Sequence, residues 1–368
     1  MNSHQGRSIE VDFFRGIVLI VIVLDHIPGS VLSHLMLHAY ALCDSAEVFV
    51  FLGGYASAAA YMAVLERRGP GAAQKRFFRR SWEIYRAYLL TALLTLVSGA
   101  ALAFFHLNQS MVELSGWPPF SSEPLRAAFD IAVLRHQPYL SSVLPMYVIF
   151  ALWVPFAVPL ARRSGLLAMT ASLAVWALAR PLASLFSIDD VGNWAFNPFA
   201  WQLMFVLGIL SRLQPVGERF HTSNTARWLT RIAVAAVLAF AVVRLFVLTQ
   251  ALPGHLKQNL SMDRVINFLV IAWLAARFVH TGSIARLARW LPAVVTVGRT
   301  GLVCFVTGTL VSLVVDTATP RGLSGFEHTM AALAGDLVAI TAVLAIARGW
   351  SGWKGQQTRT AVNSAGCG

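Results

Sequence analysis

The sequence predicts an all-α, polytopic integral membrane protein with about ten transmembrane helices and both termini in the cytoplasm. Of the 368 residues, 57% are hydrophobic and only 12% are charged, whereas soluble domains carry about 25% charged residues. The apolar residues form windows of about the length that crosses a bilayer. Basic residues are concentrated in alternate connecting segments. Together these observations argue against a soluble enzyme.

Ten apolar windows account for most of the chain. They fall at about 9–28, 43–65, 82–106, 140–160, 165–187, 199–211, 228–249, 263–280, 293–315 and 329–348. One crossing needs roughly 20 apolar residues, so these windows leave no room for a separate soluble domain. We therefore predict a single membrane domain over residues 1–350. The tail over 351–368 is rich in Gly, Ser, Thr and Gln without periodicity and is predicted to be disordered in the cytoplasm.

The distribution of Lys and Arg predicts the orientation. Basic residues follow the second, fourth, sixth, eighth and tenth windows, whereas the segments 107–139 and 188–198 are poor in them. Because positive charge marks the cytoplasmic side, both termini are placed inside. The same rule explains the net charge of +12 without a nucleic acid partner. The three cysteines have no paired spacing, so neither a disulfide framework nor a metal site is predicted.

The first window concentrates ionisable residues. Only nine uncharged residues separate Arg15 from Asp25, so at least one of Arg15, Asp25 and His26 must enter the membrane, at a cost of at least ~2.5 kcal/mol. Arg15 and His26 are 11 positions apart, which places them on one helical face about 16 Å apart along the axis. Asp25 could orient the imidazole only if the backbone bends toward Pro28. Alternatively, these charges mark the two ends of a helix at the interfaces.

The second window opens with two carboxylates. Asp44 and Glu47 are three residues apart and share a face, and Glu47 lies nearly above Gly54, seven residues further on. We expect a carboxylate above a groove formed by Gly53 and Gly54, with Tyr55 beside it, where a ligand or another helix approaches closely. The alternative is ordinary helix packing through small residues.

Weaker candidates lie in the later windows. They could shape an acceptor pocket on the non-cytoplasmic side, or they could pair with one another as structural ions. These residues are Arg244, Asp263, Arg264, Asn267, Asp316, Glu327, His328 and Asp336.

The first two windows resemble a known group of enzymes. The segment Asp12-Phe13-Phe14-Arg15-Gly16, followed by His26 with ten residues between it and Arg15, resembles the R-x10-H signature of membrane-bound acyltransferases. The continuation through 25–28 and 43–55 is similar to the OpgC branch, whose members are associated with succinylation of periplasmic glucans. This resemblance covers about the first 90 residues. Two departures stand out. Gly53 replaces a usual serine, and Glu83 and Arg86 stand where wider relatives show arginine and proline.

The resemblance implies an acyltransferase of the bacterial inner membrane, surrounded by membrane lipids and without a bound cofactor. Such an enzyme takes an acyl group from cytoplasmic acyl-CoA, with succinyl-CoA and acetyl-CoA both open, and places it on a hydroxyl of a periplasmic glucan or other surface glycan. By position, His26 is the catalytic base and Arg15 the donor-side residue, with Asp25 or Glu47 orienting the imidazole. A basic cluster is a second candidate for the phosphates of coenzyme A, although topology and anionic lipids explain it equally well. This cluster consists of Lys75, Arg76, Arg79 and Arg80.

Two other classes of function stay open. The protein could be a transporter or exporter of a glycan or lipid, or an inactive scaffold of a glucan synthesis complex. Transporters commonly carry paired repeats, whereas here the informative charges crowd into the first two windows without a second copy. The sequence therefore favours an enzyme.

Overall fold

The computed structural model describes residues 8–186, 194–248, 250, 252–320 and 324–365. Every regular element in these ranges is helical, which confirms the all-α class. The α-helices, in chain order, are α1 Ile9–Asp25, α2 Ser45–Phe104, α3 Gln109–Leu114, α4 Trp117–Ser122, α5 Pro124–Ala132, α6 Val143–Arg163, α7 Gly165–Ala177, α8 Ala179–Leu185, α9 Pro198–Leu213, α10 Glu218–Thr222, α11 Asn224–Val242, α12 Gly254–Gln258, α13 Met262–His280, α14 Ser283–Trp290, α15 Pro292–Arg299, α16 Gly301–Ala318 and α17 Gly325–Ala365.

Several of these helices are long and apolar enough to cross a membrane. Among the described residues there are five, or seven if each of two bent helix pairs is counted as one span. One such pair is α7 and α8, which are bent by 61° at Leu178. The helices thus support a membrane protein, while the count of ten spans and the side of the termini stay predictions.

The long helix α2 contains two predicted windows and folds back on itself. Gly69 has φ +78° and interrupts the helix just before Pro70. The rings of Tyr61 and Phe77 have centroids 5.8 Å apart, although 16 residues of straight helix would separate them by about 24 Å. α2 is therefore a helical hairpin with its corner at Gly69, which lies between the predicted windows 43–65 and 82–106. Its arms, 45–68 and 70–104, are each long enough to cross a bilayer core.

The chain divides into two compact units, of which the first combines Met1–Met36 with Phe278–Gly368. Here α1 crosses α15 at two glycines. A Cβ at Gly16 would overlap the carbonyl oxygen of Val294, and one at Gly298 would overlap that of Asp12. The predicted window 293–315 is divided between α15 and α16 at Thr300. Mean hydropathy over a long window does not resolve this break, because the apolar residues of both helices outweigh the short segment Gly298-Arg299-Thr300-Gly301 between them.

The second unit spans Leu37–Arg277 and is built around α2, α6 and α9. α2 and α9 cross where Gly54 faces the carbonyl oxygen of Phe205 and Gly208 faces that of Phe51, so neither position has room for a Cβ. Trp201 on α9 is fully buried beside this crossing region. Small residues thus bring the helix backbones into direct contact, as is common between membrane helices.

The last helix is longer than predicted. α17 continues to Ala365, whereas the sequence predicted a disordered tail from Ser351, of which 366–368 lie outside the described residues. Adding a residue to an existing helix needs no new nucleus, so polar residues that follow an apolar helix can continue it.

Candidate functional site

The end of α1 positions His26. Ser8 caps the start of the helix, where its hydroxyl oxygen accepts from the Val11 amide at 3.3 Å. His26 is the C-cap, and its backbone N–H donates to the Ile22 carbonyl. The ring Nδ1 lies 2.6 Å from the same Ile22 oxygen. Because a carbonyl oxygen can only accept, Nδ1 carries the hydrogen, and the basic lone pair of the neutral ring is on Nε2.

Arg15 lies three turns before His26 on α1 and is half-buried. Its neighbour in the first unit is the start of α16, where a Cβ at Gly301 would lie 3.4 Å from Arg15 Nη2. Gly301 therefore leaves room for the guanidinium. One turn earlier on α1, buried Asp12 accepts from Arg299 Nε at 3.2 Å and ties the helix to the end of α15.

Two polar contacts hold the chain around His26. Ser312 of α16 donates its hydroxyl to the Val23 carbonyl at 2.8 Å, and the Leu32 amide donates to Asp336 Oδ2 of α17 at 2.9 Å. Sequence reasoning missed Ser312 because its partner lies 289 positions away and no local pattern marks a serine inside an apolar helix.

Asp336 is fully buried and only partly satisfied. The sequence ranked this residue among the weaker candidates, either as part of an acceptor pocket or as a structural ion. One carboxylate oxygen binds the Leu32 amide, while Oδ1 has no hydrogen-bond partner in the described part of the chain. Asp336 thus holds the segment that follows His26 and retains one unused acceptor.

Asp44 and Glu47 belong to the second unit, where they form a buried ionic cluster. Asp44 Oδ2 lies 2.7 Å from Lys257 Nζ and 3.1 Å from Arg264 Nη2. Glu47 Oε1 accepts from Arg264 Nε at 2.6 Å. The carboxylates also form a capping box: Asp44 accepts from the Ala46 amide at 2.8 Å, and Glu47 accepts from the Asp44 amide at 2.9 Å. Two anions and two cations leave the cluster without net charge.

The surroundings of the cluster strengthen it. Burial disfavours the Lys257 ammonium, but the adjacent Asp44 carboxylate outweighs this effect and raises the pKa of Lys257. Asn267, one turn after Arg264, accepts from the amides of Leu42 and Cys43 at 3.0 and 3.2 Å. Arg264 and Asn267 therefore act here as structural partners, which is one of the two roles that the sequence left open for them.

Comparison with known protein families identifies the family of this chain. A family profile described as OpgC protein matches residues 7–355, nearly the whole chain. This chain belongs to the OpgC family. No curated protein and no solved structure matches it. The predicted family is confirmed, and OpgC membership together with the apolar helices indicates a membrane protein of the glucan-modifying acyltransferase type.

The glycines of this OpgC-family chain have a packing explanation. A Cβ at Gly53 would lie 2.7 Å from the hydroxyl oxygen of Tyr147, which donates to the Phe49 carbonyl at 2.9 Å. Tyr147 thus occupies the space that a serine at position 53 would need. Gly54 lies at the α2–α9 crossing, and the Tyr55 ring faces the Arg212 guanidinium at 5.9 Å.

The predicted donor-binding cluster lies on the second arm of the α2 hairpin. Lys75, Arg76 and Arg79 are exposed, and Arg80 is half-buried. Arg79 and Arg80 approach Glu83 at 3.4 and 3.3 Å. Glu83, where this sequence departs from the pattern of wider relatives, therefore neutralises part of the basic cluster.

Proposed function

We propose that this OpgC-family protein transfers a succinyl or acetyl group from cytoplasmic acyl-CoA to a hydroxyl of a periplasmic glucan or other surface glycan, in the bacterial inner membrane. The observation that supports it most directly is the 2.6 Å contact between His26 Nδ1 and the Ile22 carbonyl. This bond orients the ring and gives it the tautomer that a general base requires.

In the proposed reaction, His26 Nε2 accepts the proton of the glycan hydroxyl while the oxygen attacks the thioester carbonyl carbon. The carbon–sulfur bond of the tetrahedral intermediate then breaks, and the thiolate leaves with the proton from the imidazolium. The products are the glycan ester and coenzyme A thiol, so no further reactant is needed. The Ile22 carbonyl stabilises the imidazolium by accepting from Nδ1.

Arg15 is the proposed donor-side residue. A guanidinium binds phosphate through charge-assisted, bidentate hydrogen bonds, and Arg15 lies on the same helix as His26. Arg15→Ala should raise KM for acyl-CoA and leave KM for the glycan unchanged. Equal increases in both constants would argue against this role.

The decisive experiment measures release of coenzyme A thiol by the purified full-length protein with succinyl-CoA and with acetyl-CoA, each with and without periplasmic glucan. We expect glucan-dependent release with one of these donors. His26→Ala should lower it by about 10²- to 10⁴-fold, the usual contribution of a general base.

The matched control is His34→Ala, since His34 is an exposed histidine in the segment that follows His26. It should keep wild-type release. Equal activity in a folded His26→Ala protein would exclude His26 as the base. Absence of release with either donor, from folded protein supplied with glucan, would favour transport or a scaffold.

A further inference from the structure

A cavity in the second unit has no part in the proposed chemistry. Its volume is about 1120 Å³, slightly above the usual range of small-molecule pockets, about 300–1,000 Å³. It lies among α4, α5, α6, α8 and α9. Most of its wall is apolar and includes Ile149, Phe150, Trp153, Leu182, Phe186 and Phe199.

The cavity has one charged end and one apolar end. All its charged or titratable lining residues lie on the segment 123–136, which forms α5 and its flanking turns. On α6 the apolar wall runs from Ile149 to Trp153, and Trp153 lies ten residues, or about 15 Å along the helix axis, after the first residue of the helix, Val143. A residue at this distance from the end of a spanning helix lies about midway through a hydrocarbon core. α5 itself exposes Leu125 and Phe129, as expected of a helix lying at a membrane interface.

Most polar groups of the lining already bind one another. Arg126 lies 3.1 Å from Glu123 and 4.0 Å from Asp130. Deeper in the wall, Gln202 accepts from the Ser172 hydroxyl at 2.7 Å and donates to the Ser172 carbonyl at 2.8 Å. The apolar part of the cavity therefore offers few hydrogen bonds to a sugar.

Arg135 is the remaining cation at the charged end. It is exposed and forms no ion pair with any described residue. Its neighbour His136 is half-buried, and burial lowers the pKa of this imidazole against the opposing effect of Asp130. His136 is thus mainly neutral at neutral pH. Arg126 is shared by Glu123 and Asp130, so Arg135 is the cation at this end that has no carboxylate partner among the described residues.

We propose that the cavity binds one membrane phospholipid, with acyl chains between α6, α8 and α9 and the phosphate at Arg135. The apolar depth matches a hydrocarbon chain, and the guanidinium matches a phosphate. The surrounding bilayer supplies the lipid. Once bound, its acyl chains cover the apolar wall and exclude water from it.

The test counts the lipids retained by purified full-length protein after addition of phosphatidylglycerol, by native mass spectrometry. Wild type should retain one lipid. Ala127→Trp fills the cavity, because Ala127 lines it, and Ala128→Trp is the matched control on the exposed side of α5. Arg135→Gln removes the phosphate partner, with exposed Arg163→Gln as its control. We expect the affinity for phosphatidylglycerol to fall about tenfold in Ala127→Trp and in Arg135→Gln. The two control variants should bind it like wild type.

Retention of no lipid, or equal affinity in each variant and its control, would overturn the proposal. Displacement of the lipid by glucan oligosaccharide would assign the cavity to a sugar instead, and competition by inorganic phosphate alone would reduce it to an anion site. If Ala127→Trp does not yield monodisperse protein, the Arg135→Gln comparison decides. These results are independent of acyl transfer, so they leave the role of His26 untouched.

Discussion

Both units of the molecule bury carboxylates, and Asp336 in the first unit is compensated differently from Asp44 and Glu47 in the second, although Asp12 in the first unit also pairs with a cation. In the second unit, Asp44 and Glu47 meet two cations and form a neutral cluster. In the first unit, Asp336 binds a single backbone amide and keeps one oxygen without a described hydrogen-bond partner. A neutral, fully bonded cluster is typical of structural ion pairs. A buried polar atom without a partner is rare in folded proteins, so Oδ1 of Asp336 is a candidate for a functional or solvent contact.

The largest expected effect comes from removing one cation from the buried ionic cluster of the second unit. Arg264→Met leaves Asp44 and Glu47 buried with one cation fewer, which should lower the free energy of unfolding by about 3–5 kcal/mol. Thermal unfolding of the detergent-solubilised protein measures this loss. The exposed Arg163→Met is the control.

A second variant tests whether this loss of stability comes from the unpaired carboxylates, by removing the charges of the cluster together. Combining Arg264→Met with Asp44→Asn and Glu47→Gln should restore much of the lost stability, because no buried anion then lacks a partner. A single Arg264→Met variant that unfolds like wild type would show that the cluster is not structural.

The glycine crossings should behave alike in both units. Gly16→Ala and Gly54→Ala each place a methyl group against a backbone carbonyl oxygen that cannot move freely, so each should cost about 1–3 kcal/mol of stability. Gly29→Ala and Gly71→Ala are the controls, since a Cβ at either position meets nothing within 4 Å. Unchanged unfolding of both crossing variants would contradict the close approach of these helices.

An effect of similar size is expected at Asp336. Asp336→Ala leaves the Leu32 amide without its acceptor, at a cost of about 1–3 kcal/mol, and should accelerate hydrogen exchange of that amide. Asp336→Asn keeps an acceptor oxygen and should exchange nearly as slowly as wild type. Exposed Glu327→Ala on the same helix is the control. Equal exchange in the Ala and Asn variants would show that the side chain does not hold this segment.

The smallest expected effect concerns pH. Because the pKa of Lys257 is raised in the folded protein, its stabilising contribution is complete below the ordinary lysine pKa, about 10.4, and is lost as pH rises through the raised value. The difference in unfolding midpoint between wild type and Lys257→Met should therefore be constant from about pH 7 to 9 and shrink at higher pH. A difference that grows with pH would contradict the pairing with Asp44.

Much of the fold follows from the sequence. The predictions from hydropathy were wrong mainly where one helix breaks and another begins. Hydropathy located most of the apolar helices because burial in lipid demands continuous apolar segments. Averaged over a window, it did not resolve the break at Thr300, because the surrounding apolar residues outweigh Arg299 and Thr300. It left Gly69 between two windows and did not indicate that the helix resumes immediately, which Pro70 permits because proline suits the first turn of a helix.

The candidate site was predictable only where contacts are local. The spacing of Asp44 and Glu47 is that of a capping box, and the sequence alone could have indicated it. The bond between the His26 ring and Ile22 is also local, because the C-cap side chain lies one turn after the Ile22 carbonyl, whose oxygen can accept a second hydrogen bond beside that from the His26 backbone N–H. Arg264, by contrast, lies 217 positions from Glu47, and no pattern along the chain relates two residues so far apart.

The corner of the α2 hairpin gives experimental access to the orientation of the protein. Gly69 and Gly71 have open space where a side chain would begin, and basic residues flank them on both arms, including Arg67, Arg68 and Lys75. Cys43 and Cys304 are buried, so in a Cys367→Ser variant a cysteine introduced at position 71 can be labelled selectively without disturbing the packing. Its reaction with a membrane-impermeant maleimide, in intact cells or in inverted vesicles, reports directly which compartment the corner faces.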